Sequence, residues 1–356
     1  MTLTVLSVAY PLAPVGPDAV GGAEQVLSHL DHALVAAGHR SLVIADGRSR
    51  VAGRLIPIPP ETGGLDEAAK SRAQAATRAA IAAVRAAEPV DLVHLHGIDF
   101  PAYMPDHGPT LVTLHLPLDW YPPDAFAPRP GLVLHGVSAA QTRTAPPGAP
   151  LAAPIPNGVP VQALQARHAK RDYALVLGRV CPEKGIHLAL DAAHLAGLPL
   201  LIGGMVYPYE SHTAYFEQEI APRLDRSRRF LGPLGFAAKR RFLTAARCLV
   251  LPSLCAETSS LVAMEALACG TPVVAFPNGA LPEIVEHGRT GFLVRDVGEM
   301  AAAMRDAPRL SSGLCRAEAR RRFSLDAMTA RYLNLYRTVI AGTGRSLAPL
   351  AVVAAS

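Results

Sequence analysis

Short apolar, β-branched runs alternate with longer stretches of helical period along almost all of this 356-residue sequence. That alternation is the pattern of a parallel sheet wrapped by helices. Two such series occur. In the first, strand candidates fall at residues 3–9, 41–45, 91–95, 110–114 and 132–137, with helices at 23–37 and 67–87. A loop dense in proline and glycine, residues 144–160, interrupts the pattern and is the linker candidate. The second series places strands at 173–177, 198–202, 229–231, 248–252 and 272–276, followed by a last strong helix at 325–340. The chain is too long for one ordinary core, so two doubly wound α/β domains are expected, with ligands bound beyond the carboxyl ends of their strands.

Several classes are disfavoured. No stretch approaches the roughly 20 apolar residues of a membrane helix, and the N-terminus lacks the basic start and cleavage site of a signal peptide, which makes the cytoplasm the default compartment. The cysteines, Cys181, Cys248, Cys255, Cys269 and Cys315, form no C-x-x-C pair and are odd in number, which fits reduced, mostly buried thiols. A net charge of +5 suggests attraction to anions, either nucleotide diphosphates or an anionic membrane surface. Two basic patches, residues 223–241 and 316–322, read first as solvated helix faces and second as peripheral membrane contacts. No aromatics are interleaved with their charges, so nucleic acid is not an expected partner.

The chemistry concentrates at two strand ends of the second series. In GRVCPEKG, Arg179 stands at the end of one strand and Lys184 five residues on, so the two cations can converge on one anion such as a diphosphate. The alternative is a solvated basic pair flanking a turn. In PSLCAETSSLVAMEAL, Glu257 lies in the loop and a helix starts near Ser259 or Ser260. The amides of Ser260, Leu261 and Val262, with the helix dipole, make a phosphate site. Glu265 follows one turn after Leu261, leaning back toward the helix start, where it would accept hydrogen bonds from ribose hydroxyls. Glu257 is free to accept from hydroxyls of a transferred sugar. An ordinary capping or surface role remains open for both carboxylates.

The first series offers weaker signals. Gly21 and Gly22 precede a helix and would let a ligand approach the backbone, although taken alone they read better as a simple turn. His94, His96 and His115 gather at one sheet edge. No carboxylate or cysteine accompanies them at metal spacing, which leaves His115 as a polar contact to a sugar. Trp120 and Tyr121, in a proline-rich loop, either stack on an acceptor sugar or pack; His96 joins them as an acceptor-side candidate.

Taken in order, GGAE, DLVHLHG, TLH, GVS, PNGV, GRVCPEKG, the E-x7-E pair of ETSSLVAME, and EALACGTPVVAFPNGALPEIVEHGRTGFLV resemble the family 4 glycosyltransferases of the GT-B fold, from about residue 3 to residue 340. The resemblance implies an α/β GT-B protein of two Rossmann-like doubly wound domains facing across a cleft. Residues 1–155, joined by a crossover helix at about 325–345, would form the acceptor domain and 156–324 the donor domain, with 346–356 a frayed tail. It implies a retaining transfer of a hexose from a UDP- or GDP-linked sugar to a hydroxyl, with no metal or other cofactor. Arg179 and Lys184 would neutralise the diphosphate, and Glu265 would bind ribose. Glu257 and His115 would contact the sugar, and Gly22 would offer its backbone to the phosphates. A non-hydrolysing sugar-nucleotide epimerase and a non-catalytic sugar-nucleotide binding protein share this architecture. One departure stands out: many relatives carry Gly-Phe-Gly where this chain has Thr258, Ser259 and Ser260. Those hydroxyls either contact the donor or cap the helix, and the preference for serine at N-caps favours capping.

Overall fold

The computed structural model describes residues 2–17, 19, 21–61 and 66–342. The segment 346–356, expected to fray, lies outside them. Two compact units divide the chain: one runs to Asn157 and resumes at Leu325, and the other is Gly158–Ser324.

The first unit holds seven strands: β1 (Thr4–Val8), β2 (Arg40–Asp46), β3 (Arg54–Ile58), β4 (Leu92–Leu95), β5 (Thr110–Leu114), β6 (Leu132–Gly136) and β7 (Leu151–Ala152). They form one parallel sheet in the order β3-β2-β1-β4-β5-β6-β7. Two of these strands escaped the sequence pattern. β3 carries Pro57, which a strand tolerates at the sheet edge, where β3 lies. β7 sits inside the proline-rich segment taken as linker and pairs Leu151 with Leu134. The long helices of this unit are α1 (Gly22–Ala36) and α2 (Glu67–Ala87), the latter capped by the Asp66 carboxylate, which accepts from the Ala69 amide.

The second unit has six parallel strands: β8 (Ala174–Leu177), β9 (Leu200–Gly203), β10 (Arg228–Gly232), β11 (Cys248–Leu251), β12 (Val273–Ala275) and β13 (Gly291–Leu293), in the order β10-β9-β8-β11-β12-β13. Its helices include α3 (Ile186–Ala196), α4 (Glu210–Tyr215), α5 (Phe236–Ala245), α6 (Leu261–Ala268), α7 (Val297–Asp306) and α8 (Ser312–Phe323). The four inner strands β8, β9, β11 and β12 are buried on both faces, which is why they read as apolar runs. Alternate residues serve opposite cores: Leu175, Leu249 and Val273 pack with α6 and α8, whereas Val176, Val250 and Val274 pack with α3 and α7.

The last helix, α9 (Leu325–Gly342), belongs to the first unit and packs on α1, β4 and β5. It buries Met328, Tyr332, Tyr336 and Val339, one face of a helical period. No helix among the described residues is long and apolar enough to cross a membrane. The five cysteines are unpaired, and all but Cys255 are buried.

In each sheet the strand order reverses once, between β1 and β4 and between β8 and β11. Loops leaving these strands diverge to opposite faces and open a crevice at their carboxyl ends.

Candidate functional site

At the switch point of the second unit, two tight backbone approaches shape the loop that leaves β8. Gly204 passes so close to Gly178 that a Cβ on it would stand 1.8 Å from the Gly178 carbonyl. Gly185 has φ +60°, and a Cβ there would meet the Pro252 carbonyl at 2.3 Å. Only glycine fits either contact. The loop is also tied by the Leu254 amide, which donates to the Glu183 carbonyl at 2.8 Å. The exits of β8 and β11 are thereby pressed together.

The consequence is a charged contact between them. Lys184 Nζ lies 2.6 Å from Glu257 Oε1, and the Ser253 hydroxyl donates to the same oxygen at 2.5 Å. The loop after β12 completes the arrangement: the Ala280 amide donates to the Glu257 carbonyl at 2.8 Å, and Asn278 Nδ2 to the Ser253 carbonyl at 2.7 Å. Gly279, at φ +63°, lies so near that a Cβ would be 2.2 Å from the Glu257 carbonyl. Arg179 is exposed and takes part in no ion pair among the described residues. Thus the expected cation Lys184 is held by the expected sugar-contacting carboxylate Glu257. Ser253, Asn278 and Gly279 were missed by sequence reasoning.

Helix α6 begins at Leu261, so Ser260 is its N-cap and not part of its first turn. The Ser260 hydroxyl makes no capping hydrogen bond, contrary to the capping expectation, and Ser259 Oγ is buried without a partner. The amides of Leu261 and Val262 open the helix and have no carbonyl one turn back within it. Glu265 is 5% exposed, and its Oε1 accepts from Lys239 Nζ on α5 at 2.5 Å. Burial pushes the Glu265 carboxyl above the usual carboxylate range, and Lys239 opposes that shift. Lys239 lies within the basic patch read as solvated. Other members of the patches are also partnered, Arg223 with Asp191 and Glu219, Arg228 with Asp225, and Arg322 with Glu286.

The candidates of the first unit fare differently. Gly21 is the N-cap of α1 and Gly22 its first residue, both exposed. The Glu24 carboxylate already folds back over this helix start, where a Cβ on Gly21 would stand 1.8 Å from Glu24 Oε2. An approaching phosphate would have to displace that anion. His96 and His115 are 3% and 8% exposed, with His96 Nδ1 3.0 Å from His115 Nε2. They are packed together and not presented to solvent. His94 bridges Tyr336 of α9 at 2.9 Å and Thr113 at 2.8 Å, and the Thr113 hydroxyl also meets His135 at 2.8 Å and Tyr332 at 3.2 Å. Burial drives these imidazoles toward the neutral form, His115 to about 3 and His135 to about 4. Tyr121 packs against Phe100 and Phe126, and its hydroxyl accepts from the His115 amide at 3.0 Å, which removes it as an acceptor platform. Trp120 is exposed.

Comparison with known proteins agrees with this architecture. The family model described as "Glycosyltransferase Family 4" matches residues 20–150, and "Glycosyl transferases group 1" matches 171–307. The D-inositol 3-phosphate glycosyltransferase of Mycobacterium tuberculosis is 35% identical over 230 residues, covering 58% of this chain and 46% of the relative. The chain thus aligns with about half the length of the curated relatives it matches. Among solved structures, sucrose-phosphate synthase of Thermosynechococcus elongatus superposes with a TM-score of 0.79 at 20% identity, covering 95% of this chain and 100% of that one. HepE of Anabaena, solved in complex with UDP-glucose, superposes at 0.71 and 18% identity, covering 94% and 100%. AviGT4, a glycosyltransferase involved in avilamycin A biosynthesis, superposes at 0.70 and 24%, covering 96% and 98%. With two GT-B-type parallel sheets and both family models matched in order, the chain belongs to the family 4 glycosyltransferases.

Proposed function

We propose that this chain transfers a hexose from a nucleoside-diphosphate sugar to a hydroxyl acceptor, with retention of anomeric configuration and without a metal ion at the reacting phosphate. The observation that carries the reading is the convergence of Lys184, Glu257 and the start of α6 at the β8/β11 switch point. Lys184 and Arg179 neutralise the leaving diphosphate, and the amides of Leu261 and Val262 receive a phosphate oxygen. HepE, which shares the fold, is known in complexes with UDP and with UDP-glucose, which supports a uridine-linked donor.

The chemistry needs no second carboxylate base. As the bond from the anomeric carbon to the leaving phosphate breaks, the acceptor oxygen attacks from the same face and a leaving-phosphate oxygen takes its proton. Negative charge grows on the diphosphate, where the fixed cations and helix amides stabilise it. Glu257, held by Ser253 and Lys184, presents its remaining oxygen to sugar hydroxyls, and Glu265, paired with Lys239, accepts from ribose.

The test is a panel of UDP- and GDP-sugars with acceptors that include D-inositol 3-phosphate, the acceptor named for the mycobacterial relatives. Release of nucleoside diphosphate with a retained linkage, read by NMR, supports the reading. An inverted product, or conversion of the donor to its epimer without acceptor, contradicts it.

A further inference from the structure

The loop that carries Arg179 and Lys184 also brings together three side chains that the transfer reaction does not use. Cys181 and Glu183 lie on it, and His212 comes from α4. One ligand atom from each, the thiol sulfur, a carboxylate oxygen and a ring nitrogen, lies within 4.8 Å of the others. Cys181 is completely buried, Glu183 half-buried, and His212 6% exposed. His212 Nδ1 is buried with no hydrogen-bond partner, an orphaned acceptor or donor of a kind folded proteins rarely tolerate. Its ring is fixed edge-on against Tyr209, with centroids 5.1 Å apart. The Cys181 thiol makes a long contact, 3.8 Å, with the Arg179 carbonyl and is hydrogen-bonded to the Glu183 carboxylate, so two of the three groups already meet.

We propose that Cys181, Glu183 and His212 form a binding site for one soft divalent cation of the zinc class, lying beside the diphosphate-binding loop. Ligands at about 2.0–2.3 Å from zinc stand roughly 3.5 Å apart, so atoms already within 4.8 Å of one another need move by no more than about 1–1.5 Å to close on the ion. The charge closes as well: a thiolate, a carboxylate and a neutral imidazole together cancel a 2+ ion, so the buried site is electrically neutral when filled. Binding forms a metal–sulfur bond and releases the thiol proton to solvent; no electron changes hands. A buried thiolate with an imidazole selects zinc or cobalt over magnesium or calcium, which prefer oxygen ligands. The fourth tetrahedral position is left to water. Arg179 and Lys184 flank the two loop ligands, so a bound cation would tether the loop bearing both cations to α4.

The experiment titrates Zn2+ and Co2+ into purified chain lacking a polyhistidine tag, with a chromogenic chelator as competitor and absorption as the second readout. One equivalent is expected to bind, with a thiolate-to-cobalt charge-transfer band, and excess Mg2+ should not compete. Cys181→Ser should abolish the band and weaken Zn2+ by about a hundredfold or more, and His212→Ala should weaken it by at least about tenfold. Glu183→Gln provides a variant outside the core, expected to bind more weakly with the band retained. Cys255→Ser, at the nearby half-buried cysteine, should bind as the parent does. Absence of stoichiometric Zn2+ binding, or binding and a cobalt spectrum unchanged in folded Cys181→Ser and His212→Ala, would overturn the proposal.

Discussion

Lys184 Nζ stands 2.6 Å from Glu257 Oε1, joining the loop after β8 to the loop after β11, with the two side chains only 24% and 14% exposed. The pair links the two loops, and its lysine side is the more open of the two. Under the proposed function, a diphosphate arriving there would meet a cation already in position, so little reorganisation would accompany charge development.

Lys184→Ala is therefore expected to lower turnover by about a hundredfold or more, because one fixed cation at a departing phosphate commonly contributes about 3–4 kcal/mol. Arg179→Ala should act in the same direction. Circular dichroism should show both variants folded, since Arg179 is exposed and the Ser253 hydroxyl still holds Glu257 when Lys184 is lost. Near-parental steady-state rates for Lys184→Ala would remove it from the reaction.

Gly279→Ala tests the backbone beneath the pair. The substitution places a Cβ against the Glu257 carbonyl in a left-handed conformation that costs an alanine about 1–2 kcal/mol before any clash. Urea denaturation should show a loss of at least that size. Activity should fall further than stability alone explains, because Glu257 is displaced from Lys184. An alanine variant as stable and active as the parent would show that the close approach is unimportant.

Lys239 and Glu265 give a pH-dependent prediction. Burial already raises the Glu265 carboxyl, and removing Lys239 in Lys239→Met takes away the charge that opposes the shift. Breaking a buried pair from one side costs about 3–5 kcal/mol when the remaining charge persists. A group whose folded pKa lies above its unfolded value binds its proton more readily in the folded state, so stability rises as pH falls through the folded pKa. The deficit of Lys239→Met should accordingly shrink between pH 8 and pH 5. A deficit independent of pH would mean that Glu265 is not the group left unpaired.

The buried histidines of the first unit act with the opposite sign. Their folded values lie below the ordinary 6.5, with His115 at about 3 and His135 at about 4. The unfolded chain takes up protons first as pH falls below about 6.5, and stability drops by about 1.4 kcal/mol per histidine per pH unit until the folded values are reached. The urea midpoint should therefore fall between pH 7 and pH 4.5, earlier than the titration of ordinary carboxylates would cause. Tyr336→Phe, which deprives buried His94 of its 2.9 Å partner, should cost about 1–3 kcal/mol at pH 7.5. A midpoint unchanged down to pH 5 would contradict the burial of neutral imidazoles.

Much of this arrangement was legible before any coordinates, because parallel strands buried on both faces leave an apolar run for each strand and charged residues at its end. Arg179, Lys184 and Glu257 were named from such strand ends and Glu265 from its place one turn into the following helix, and the structure pairs Lys184 with Glu257 and Glu265 with Lys239. What the sequence could not show was pairing at a distance. Lys239 lies 26 positions before Glu265 inside a basic run, and nothing in composition separates a buried ammonium from its solvated neighbours. The links from His94 to Tyr336 and from Thr113 to His135 connect elements up to 242 residues apart. Tyr121 and Trp120, adjacent in one loop, part company because a single turn sends one ring into the core and the other to solvent. β13, three residues long, is too short to leave a period.

The central claim, that Arg179, Lys184 and the start of α6 enclose a pyrophosphate, is tested most directly by calorimetric titration of UDP and GDP, with uridine and guanosine as controls, into the parent chain and Lys184→Ala. The account predicts saturable binding of at least one diphosphate, little binding of its nucleoside, and a weakening of about tenfold or more in the variant, equivalent to about 1.4 kcal/mol. No uptake of either diphosphate, or equal affinity for diphosphate in parent and variant, would contradict it.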